Sequence, residues 1–428
     1  MNTGSFIYQN LETNPSNWEI SKYKYHIKIK NGFPFKSDFF DLYEGFPLIR
    51  IRDIKSGKIK TFYKGYFSEE FIIKNDDLII GMDGDFNLRW WEGPDALLNQ
   101  RCCQILECKT FDLRFLYYLL PHQLKIINDI TYFTTVKHLS IFDIYEQSVL
   151  IPPINEQKLI SQYLDKKTQT IDSLIEKIVK KIQLLKEQKT ALINQYVTKG
   201  LNPNVEMKNS GIEWIGEIPK HWGIKRLTIL GDFSKGKNIT KSDLVDIGLP
   251  VILYSHIYTK YDRSTSIVDS YISKDKSIGS TKIQSHTFLF TSSGETKEDI
   301  GKSILYRGLE DVFIGGDMVV YKFRDSDSFD PDYYSFVFNS FNCQCQKSSL
   351  SRGEIVVHIY EKQLREIRVC IPPVDEQNEI KDCLIEIEKK SMKLQENLQN
   401  KVQLLEEYRQ SLIFSVVTGK IRITEDMI

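Results

Sequence analysis

Apolar residues recur every seven positions at Leu164, Ile171, Ile178, Leu185 and Leu192. Ile175, Ile182 and Tyr196 fill the complementary seam position, Thr168 and Lys189 interrupt it, and Lys, Glu and Gln occupy the other faces. A heptad sustained this long predicts a coiled-coil helix. Residues 156–198 would form a rod of roughly 60 Å at about 1.5 Å per residue, ended by Gly200. The pattern returns at Leu384, Leu398, Leu405 and Leu412, with Val402 and Val416 in the second seam. Its first half is rougher: Glu388, Ser391 and Gln395 fall on the seam, and Ile387 with Leu394 suggests a locally shifted stripe. Stripes of this length need covering, and the two helices are natural antiparallel partners for each other.

Each helix starts from one motif. Ile151-Pro152-Pro153-Ile154-Asn155-Glu156-Gln157 precedes the first, and Ile371-Pro372-Pro373-Val374-Asp375-Glu376-Gln377 the second. Paired prolines continue neither a central strand nor a helix interior, so the motif marks a junction. A shift of about 220 residues lays one copy on the other without a gap, as far as Val197-Thr198 and Val417-Thr418. That period is a domain duplication and not a solenoid repeat.

Ahead of each helix the pattern becomes that of strands. Residues 23–29 and 47–54 alternate, 77–82 read as a strand entering the Asp83-Gly84-Asp85 loop, and 30–38 form a turn-rich loop. Residues 96–98 and 102–106 suggest a strand split by Asn99-Gln100-Arg101, and 113–120 a helix stopped by Pro121. After a linker at Leu201-Asn202-Pro203-Asn204 the frame restarts. Pro219 and Trp222 keep the spacing of Pro15 and Trp18, the two tryptophans being read as core anchors. Residues 234–243 answer the Gly32 loop, including its Lys-Ser-Asp ending, 250–257 answer 47–54, and His358 answers His138. Residues 287–294 share only a hydrophobic outline with 77–84. The expected fold is α+β: two globular mixed α/β domains separated by two long helices in an antiparallel coiled coil, with an internal pseudo-twofold duplication. The expected boundaries are 1–150 and 212–370 for the globular domains, 151–200 and 371–421 for the helices, 201–211 for the linker and 422–428 for the tail.

Composition narrows the function classes. The 428 residues carry 57 Lys+Arg and 57 Asp+Glu, so bulk charge does not announce a nucleic-acid binder, although local patches remain open. Seven cysteines include no Cys-x-x-Cys pair, which points away from a disulfide framework and from a metal site. With no signal-peptide pattern and no apolar window of about 18 residues, a cytoplasmic protein away from membranes is expected. No phosphate loop, dinucleotide fingerprint, His-Glu-x-x-His helix or Gly-x-Ser-x-Gly elbow occurs, so neither catalysis nor a cofactor is expected. Asp330-Pro331-Asp332-Tyr333 superficially resembles an adenine-methyltransferase box, but it lacks the second proline and reads as a turn starting a helix over 333–338.

The positive signal is polar and basic loop content in both halves. The first half offers Lys30, Asn31, Lys36, Arg50, Arg52, Lys55, Asn99, Gln100 and Arg101, with Lys58, Lys60 and Arg89 nearby. The second offers Lys235, Lys237, Asn238, Lys241, Ser255, His256, Ser292, Ser293, Lys297, Ser349 and Arg352, with Ser348 and Ser351 beside them. Arg and Lys suit phosphates and guanine edges, Asn and Gln suit adenine edges, and Ser suits either.

Together these residues resemble the DNA-specificity subunit of type I restriction–modification systems. The resemblance rests on the doubled Ile-Pro-Pro-x-x-Glu-Gln with its helix, and on Gly211-Ile212-Glu213-Trp214-Ile215-Gly216-Glu217-Ile218-Pro219-Lys220-His221-Trp222. It implies that each globular unit is a target-recognition domain reading one half of a split double-stranded DNA site, and that the helices space the two. It also implies a non-catalytic subunit, assembling with methyltransferase subunits and with ATP-dependent restriction subunits. Individual base contacts do not carry over. The competing readings are the specificity part of a fused restriction enzyme, and a coiled-coil scaffold with no nucleic-acid role.

Overall fold

The computed structural model describes residues 17–106, 109–130, 137–353 and 356–428; Pro15 and Cys108 lie outside them. Two compact units emerge, one holding the chain up to Val179 together with Asn400–Ile428, the other Lys180–Gln399.

In the first unit the strands are β1 (Glu19–Lys22), β2 (Lys28–Asn31), β3 (Phe40–Asp41), β4 (Phe46–Ile49), β5 (Phe62–Tyr63), β6 (Ile72–Ile73), β7 (Leu78–Gly81), β8 (Leu88–Trp90), β9 (Ala96–Leu98), β10 (Cys102–Leu106) and β11 (Ser148–Ile151). Its helices are α1 (Ile51–Ser56), α2 (Leu113–Ile130), α3 (Ile141–Tyr145) and the start of α4 (Ile154–Lys199). One sheet runs β2-β10-β7-β8, a second β3-β5-β4-β9-β6, and β1 pairs with β11. β9 lies parallel to β4, with Leu48 opposite Leu97.

The second unit repeats this plan. Its strands are β12 (Met207–Asn209), β13 (Glu217–Pro219), β14 (Gly223–Arg226), β15 (Gly231–Lys235), β16 (Leu244–Val245), β17 (Leu249–Ile252), β18 (Ser264–Thr265), β19 (Tyr271–Ile272), β20 (Lys282–Ile283), β21 (Thr287–Thr291), β22 (Ser293–Gly294), β23 (Ser303–Tyr306), β24 (Val312–Ile314), β25 (Met318–Phe323), β26 (Val357–His358) and β27 (Arg368–Ile371). Its helices are α5 (Leu227–Leu230), α6 (Tyr254–Thr259), α7 (Lys274–Ser277), α8 (Pro331–Phe338), α9 (Phe341–Leu350), α10 (Glu361–Leu364) and the start of α11 (Val374–Val417). The sheets run β15-β25-β21-β23-β18 and β16-β19-β17-β24-β20, and β14 pairs with β27 as β1 does with β11. Here too the middle of the second sheet holds a parallel pair, β17 with β24.

Both cores borrow from both long helices. In the first unit Ile160, Leu164 and Ile171 from the start of α4 join Leu412, Val416 and Val417 from the end of α11 around Trp18, Tyr23 and Leu116. In the second, Val197 from the end of α4 joins Ile380 and Leu384 from the start of α11 around Trp222, Phe288 and Tyr333. Within each unit the two helices therefore pack antiparallel. At about 1.5–3 kcal/mol per fully buried large apolar side chain, this packing offsets the cost of ordering helices that are otherwise largely polar.

The seam is the strict heptad. On α4 it comprises Leu164, Ile171, Ile178, Leu185 and Leu192, with Thr168 and Lys189 staying on it, all buried or half-buried. On α11, Leu384, Leu398, Leu405 and Leu412 keep the same phase. Of the locally shifted stripe expected from Ile387 and Leu394, Ile387 packs against the second core but Leu394 is 39% exposed. Polar residues hold the seam instead. Glu388 accepts from Arg263 Nη2 at 2.7 Å, and Gln395 donates to Ser391 Oγ at 2.9 Å.

The doubled motif acts as a clamp. Gln157 is fully buried; its Nε2 donates to Pro152 O at 2.8 Å and Thr110 O at 2.9 Å, and its Oε1 accepts from Asp112 N at 2.9 Å. Gln377 does the same with Pro372 O, Ser328 O and Asp330 N at 2.9, 3.1 and 2.9 Å. Asp112 and Asp330 in turn accept from Phe115 N and Tyr333 N, capping α2 and α8. The preceding glutamate reaches the tryptophan segment: Glu156 accepts from Asn17 Nδ2, while Glu376 pairs with His221 and accepts from Trp222 Nε1 at 2.9 Å.

Four local expectations change. Residues 23–29 are not one strand: Tyr23–Tyr25 form a 3-10 turn between β1 and β2, burying Tyr23 and Ile27 while Tyr25 stays exposed. The runs 47–54 and 250–257 stop as strands at Ile49 and Ile252, and α1 and α6 follow. Helix α2 continues through Pro121, because Leu124 and Ile127 extend the buried face of Leu116 and Leu120 beyond it. Their burial outweighs the roughly 3 kcal/mol a helical proline costs. Finally, the two Lys-Ser-Asp triplets are one residue out of register, since the matching 3-10 turns are Ser37–Phe39 and Lys241–Asp243. Trp18 and Trp222 are core residues, and Asp330 is the N-cap of α8.

Candidate nucleic-acid interface

A web of backbone hydrogen bonds gathers the loops of the first unit at one apex. Gly32 N donates to Cys102 O, Phe33 N to Leu98 O, Gln100 N to Phe33 O, and Asn99 N to Ile49 O. The Gly32 loop, the start of α1 and the Asn99-Gln100-Arg101 turn between β9 and β10 are thereby fixed together. Glycine is required at the first contact, since a Cβ on Gly32 would stand 2.1 Å from Asn99 O. Met82 N donates to Arg101 O, and Leu139 N to Met82 O, which brings the end of β7 and His138 to the same place.

The second unit builds the apex again. Gly236 N donates to Met318 O, Gly315 N to Ile252 O, Ser292 N to Asp317 O, and Ile359 N to Ser292 O. A Cβ on Gly236 would meet Gly315 O at 1.8 Å. The Gly315-Gly316-Asp317 turn thus corresponds to Asn99-Gln100-Arg101, a match hidden in the sequence because the side chains differ completely. The only cue is the apolar outline on either side, Val312–Ile314 and Met318–Phe323 against Ala96–Leu98 and Cys102–Leu106.

The candidate residues divide by exposure. Asn31, Lys36, Arg52, Lys55, Gln100, Arg101, Lys235, Lys237, Asn238, Lys241, Lys297, Ser349 and Arg352 are exposed, and Lys30, Arg50, Ser255 and Ser293 half-buried. Lys30 lies over the Phe71 ring at 5.3 Å and bonds Glu70 O, while Arg52 donates to Thr61 Oγ1 at 3.0 Å. Asn99, His256 and Ser292 are buried and build the apex from inside. Asn99 Oδ1 accepts from Gln100 N at 2.9 Å. His256 Nδ1 accepts from Leu253 N at 3.2 Å, the place Asp53 fills in α1 by accepting from Arg50 N at 3.0 Å. Burial lowers the His256 pKa below its usual value, consistent with a neutral ring that accepts this bond, and raises that of Asp53.

The histidines at corresponding places have different partners. His138 Nδ1 lies 2.7 Å from Asp83 Oδ1, and His358 Nδ1 lies 3.1 Å from Ser293 Oγ. From the second unit's α9, Gln344 Nε2 donates to Ile300 O at 2.8 Å and Ser348 to Lys297 O, which holds the loop carrying Lys297. Lys347 is buried, its ammonium donating to Gly301 O at 2.8 Å and Phe338 O at 2.9 Å. Among the described residues, no group of three or more His, Cys, Asp or Glu side chains is placed to hold a metal, and no helix is long and apolar enough to cross a membrane.

Two copies of one polar apex, each on a domain that the chain leaves through the Pro-Pro junction, accompany a doubled match to one family model. The type I restriction modification DNA specificity domain is found twice, over residues 15–184 and 219–404. The chain belongs to that family. The type I restriction enzyme EcoBI specificity subunit of Escherichia coli is 39% identical over 204 residues, 45% of this chain and 42% of that protein. The MjaVIII specificity subunit of Methanocaldococcus jannaschii is 23% identical over 430 residues, covering 96% of this chain and 94% of that protein. Two solved structures share the fold. One, from a study of complex assembly and conformational transition of the type I R-M system, has a TM-score of 0.72 at 12% identity, over 96% of this chain and all of that one. The HsdS subunit from Thermoanaerobacter tengcongensis has a TM-score of 0.54 at 13% identity over the same shares. The specificity family thus accounts for both halves of the chain.

Proposed function

We propose that this specificity subunit binds double-stranded DNA, with the globular domains 1–150 and 212–370 each reading one half of a bipartite site. The helical segments 151–200 and 371–421 set the gap between the half-sites; 201–211 is a linker and 422–428 a tail. The chain itself performs no chemistry. It directs methyltransferase subunits, and ATP-dependent restriction subunits in the cleaving complex, to the site, in the cytoplasm. The observation that carries this reading is the apex built twice on matching backbone bonds but from different side chains. Two readers of different sequences need a common frame and divergent contacts. The exposed lysines and arginines around each apex serve as the phosphate and base contacts, with His256, Asn99 and Ser292 supporting them.

Methylome sequencing of a host expressing the chain with its cognate methyltransferase tests the proposal. A split adenine-methylation motif with a fixed gap, lost when this chain is deleted, is the expected result. Methylation that is absent, or unchanged without the chain, would overturn it.

A further inference from the structure

We infer that the residue closing each apex turn reads a base, and that the two domains present opposite hydrogen-bonding chemistry there: Arg101 takes the acceptor edge of a guanine, Asp317 the exocyclic amine of a cytosine. The inference rests on the functional reading above and names the residues that carry it.

Positional equivalence comes from the backbone. Met82 N donates to Arg101 O at 2.8 Å, and Ser292 N to Asp317 O at 3.0 Å. Both residues end the turn between the parallel-paired strand of one sheet and a longer strand of the other, β9 to β10 and β24 to β25. Both are exposed.

Arg101 is held at a cost. Its φ is +71°, in the left-handed region where glycine or asparagine sits with less strain. A strained backbone under a large exposed side chain points to a task for that side chain. The guanidinium is also short of acceptors. Its Nη1 lies 3.3 Å from His138 Nδ1, but that nitrogen carries its proton when it bonds Asp83 Oδ1 at 2.7 Å, leaving no lone pair for Arg101. The Asp83 carboxylate is 3.8 Å from Arg101 Nε, close enough to steer the charge without occupying the fork. Asp83 and His138 are therefore positioning residues, and the terminal nitrogens stay available.

A second observation comes from the other domain. Where the turn residue becomes acidic, the strand-end residue loses its charge: Ser293 replaces Asp83 and bonds His358 Nδ1 at 3.1 Å. An aspartate at both places would set two carboxylates side by side, which repel. The pair changes charge together, Asp83 with Arg101 becoming Ser293 with Asp317, while the histidine stays. This is how one scaffold would be turned from reading acceptors to reading a donor. Arginine pairs bidentately with guanine O6 and N7, and aspartate accepts from cytosine N4.

The test uses the full chain with its methyltransferase partner. Arg101→Asn keeps the left-handed turn and removes the fork, and Asp317→Asn keeps size and removes the charge. R101N is expected to relax one guanine position in one half-site, and D317N one cytosine position in the other half-site, with the gap unchanged. Motifs identical to the parent for both variants would overturn the inference. If R101N abolishes methylation, competition binding by the purified complex decides, using duplexes with each of the four bases at that position. A loss of about 10- to 100-fold confined to the guanine duplex supports base reading; a uniform loss across the four overturns it. A parent chain yielding no split motif at all refutes the functional reading, and this inference with it.

Discussion

The Gln377 carboxamide donates to Pro372 O at 2.9 Å, five residues back across the junction, while its oxygen accepts from Asp330 N. One buried side chain thus ties the end of β27, the start of α11 and the cap of α8 to each other. Gln157 makes the equivalent set in the first unit. Replacing Gln377 by Ala leaves Pro372 O, Ser328 O and Asp330 N without their partner. At roughly 1 kcal/mol or more per stranded buried group, Q377A is expected to lower the stability of its unit by about 3 kcal/mol. Urea unfolding measures this, and a loss below about 0.5 kcal/mol, the level of an inert surface change, would rule out the clamp.

The doubled motif was legible as a junction because proline chemistry is local. Its glutamine was not, since Thr110 and Ser328 lie more than forty residues from it and only the folded chain brings them near. The same divide runs through the candidate site. The heptads, the tryptophans and the parallel Gly32 and Gly236 loops follow from periodicity and spacing. The match of Arg101 with Asp317 does not, because it is written in backbone bonds to Met82 and Ser292 and contradicted by side-chain charge. Likewise His256 reads as a polar loop residue, yet it spends its nitrogen on Leu253 N inside the fold.

Arg263 stacks on the Phe336 ring at 3.8 Å and holds Glu388 on the seam of α11. Both side chains are largely enclosed, at 13% and 17% exposure. Removing only the arginine leaves a largely enclosed carboxylate without its hydrogen-bonded cation, so Arg263→Ala is expected to cost about 3 kcal/mol. The double variant R263L/E388L should recover most of that loss. Unfolding of both variants decides: a double variant no more stable than R263A would mean that the pair contributes by more than mutual neutralisation.

Burial pushes the Lys347 ammonium down to about 8 from its ordinary 10.5. Between these values the unfolded chain holds a proton that the folded chain has released, so folding becomes more favourable as pH rises. This contribution grows by up to about 1.4 kcal/mol per pH unit above pH 8 and is flat below it. Buried thiols act in the opposite sense, Cys103 and Cys370 being pushed up to about 12 by desolvation. The comparison with Lys347→Met therefore isolates the lysine: the stability difference, parent minus variant, should be constant from pH 6 to 7.5 and rise from pH 8 to 10. A difference independent of pH over the whole range would contradict the assignment.

Gly32→Ala forces a methyl group into Asn99 O, and Gly236→Ala into Gly315 O. Each obstruction is backbone, so the turn has to move. G32A should weaken DNA binding by the assembled complex at least tenfold through the first half-site alone, and G236A through the second. Competition with duplexes altered in one half-site separates the two. Equal sensitivity to both half-sites in either variant would argue against independent apices.

The first unit draws Leu412, Val416 and Ile423 into the same core as Trp18 and Leu116. During synthesis, Leu412 and Val416 leave the ribosome long after Trp18 and Leu116, beside which they pack. At about 5–20 residues per second, tens of seconds pass with that core incomplete, and the second unit (residues 180–399) has all its residues first. The half whose strands are made first is thus the half whose core is completed last. Until then the early-made half exposes the apolar face that Leu412, Val416, Val417 and Ile423 later cover.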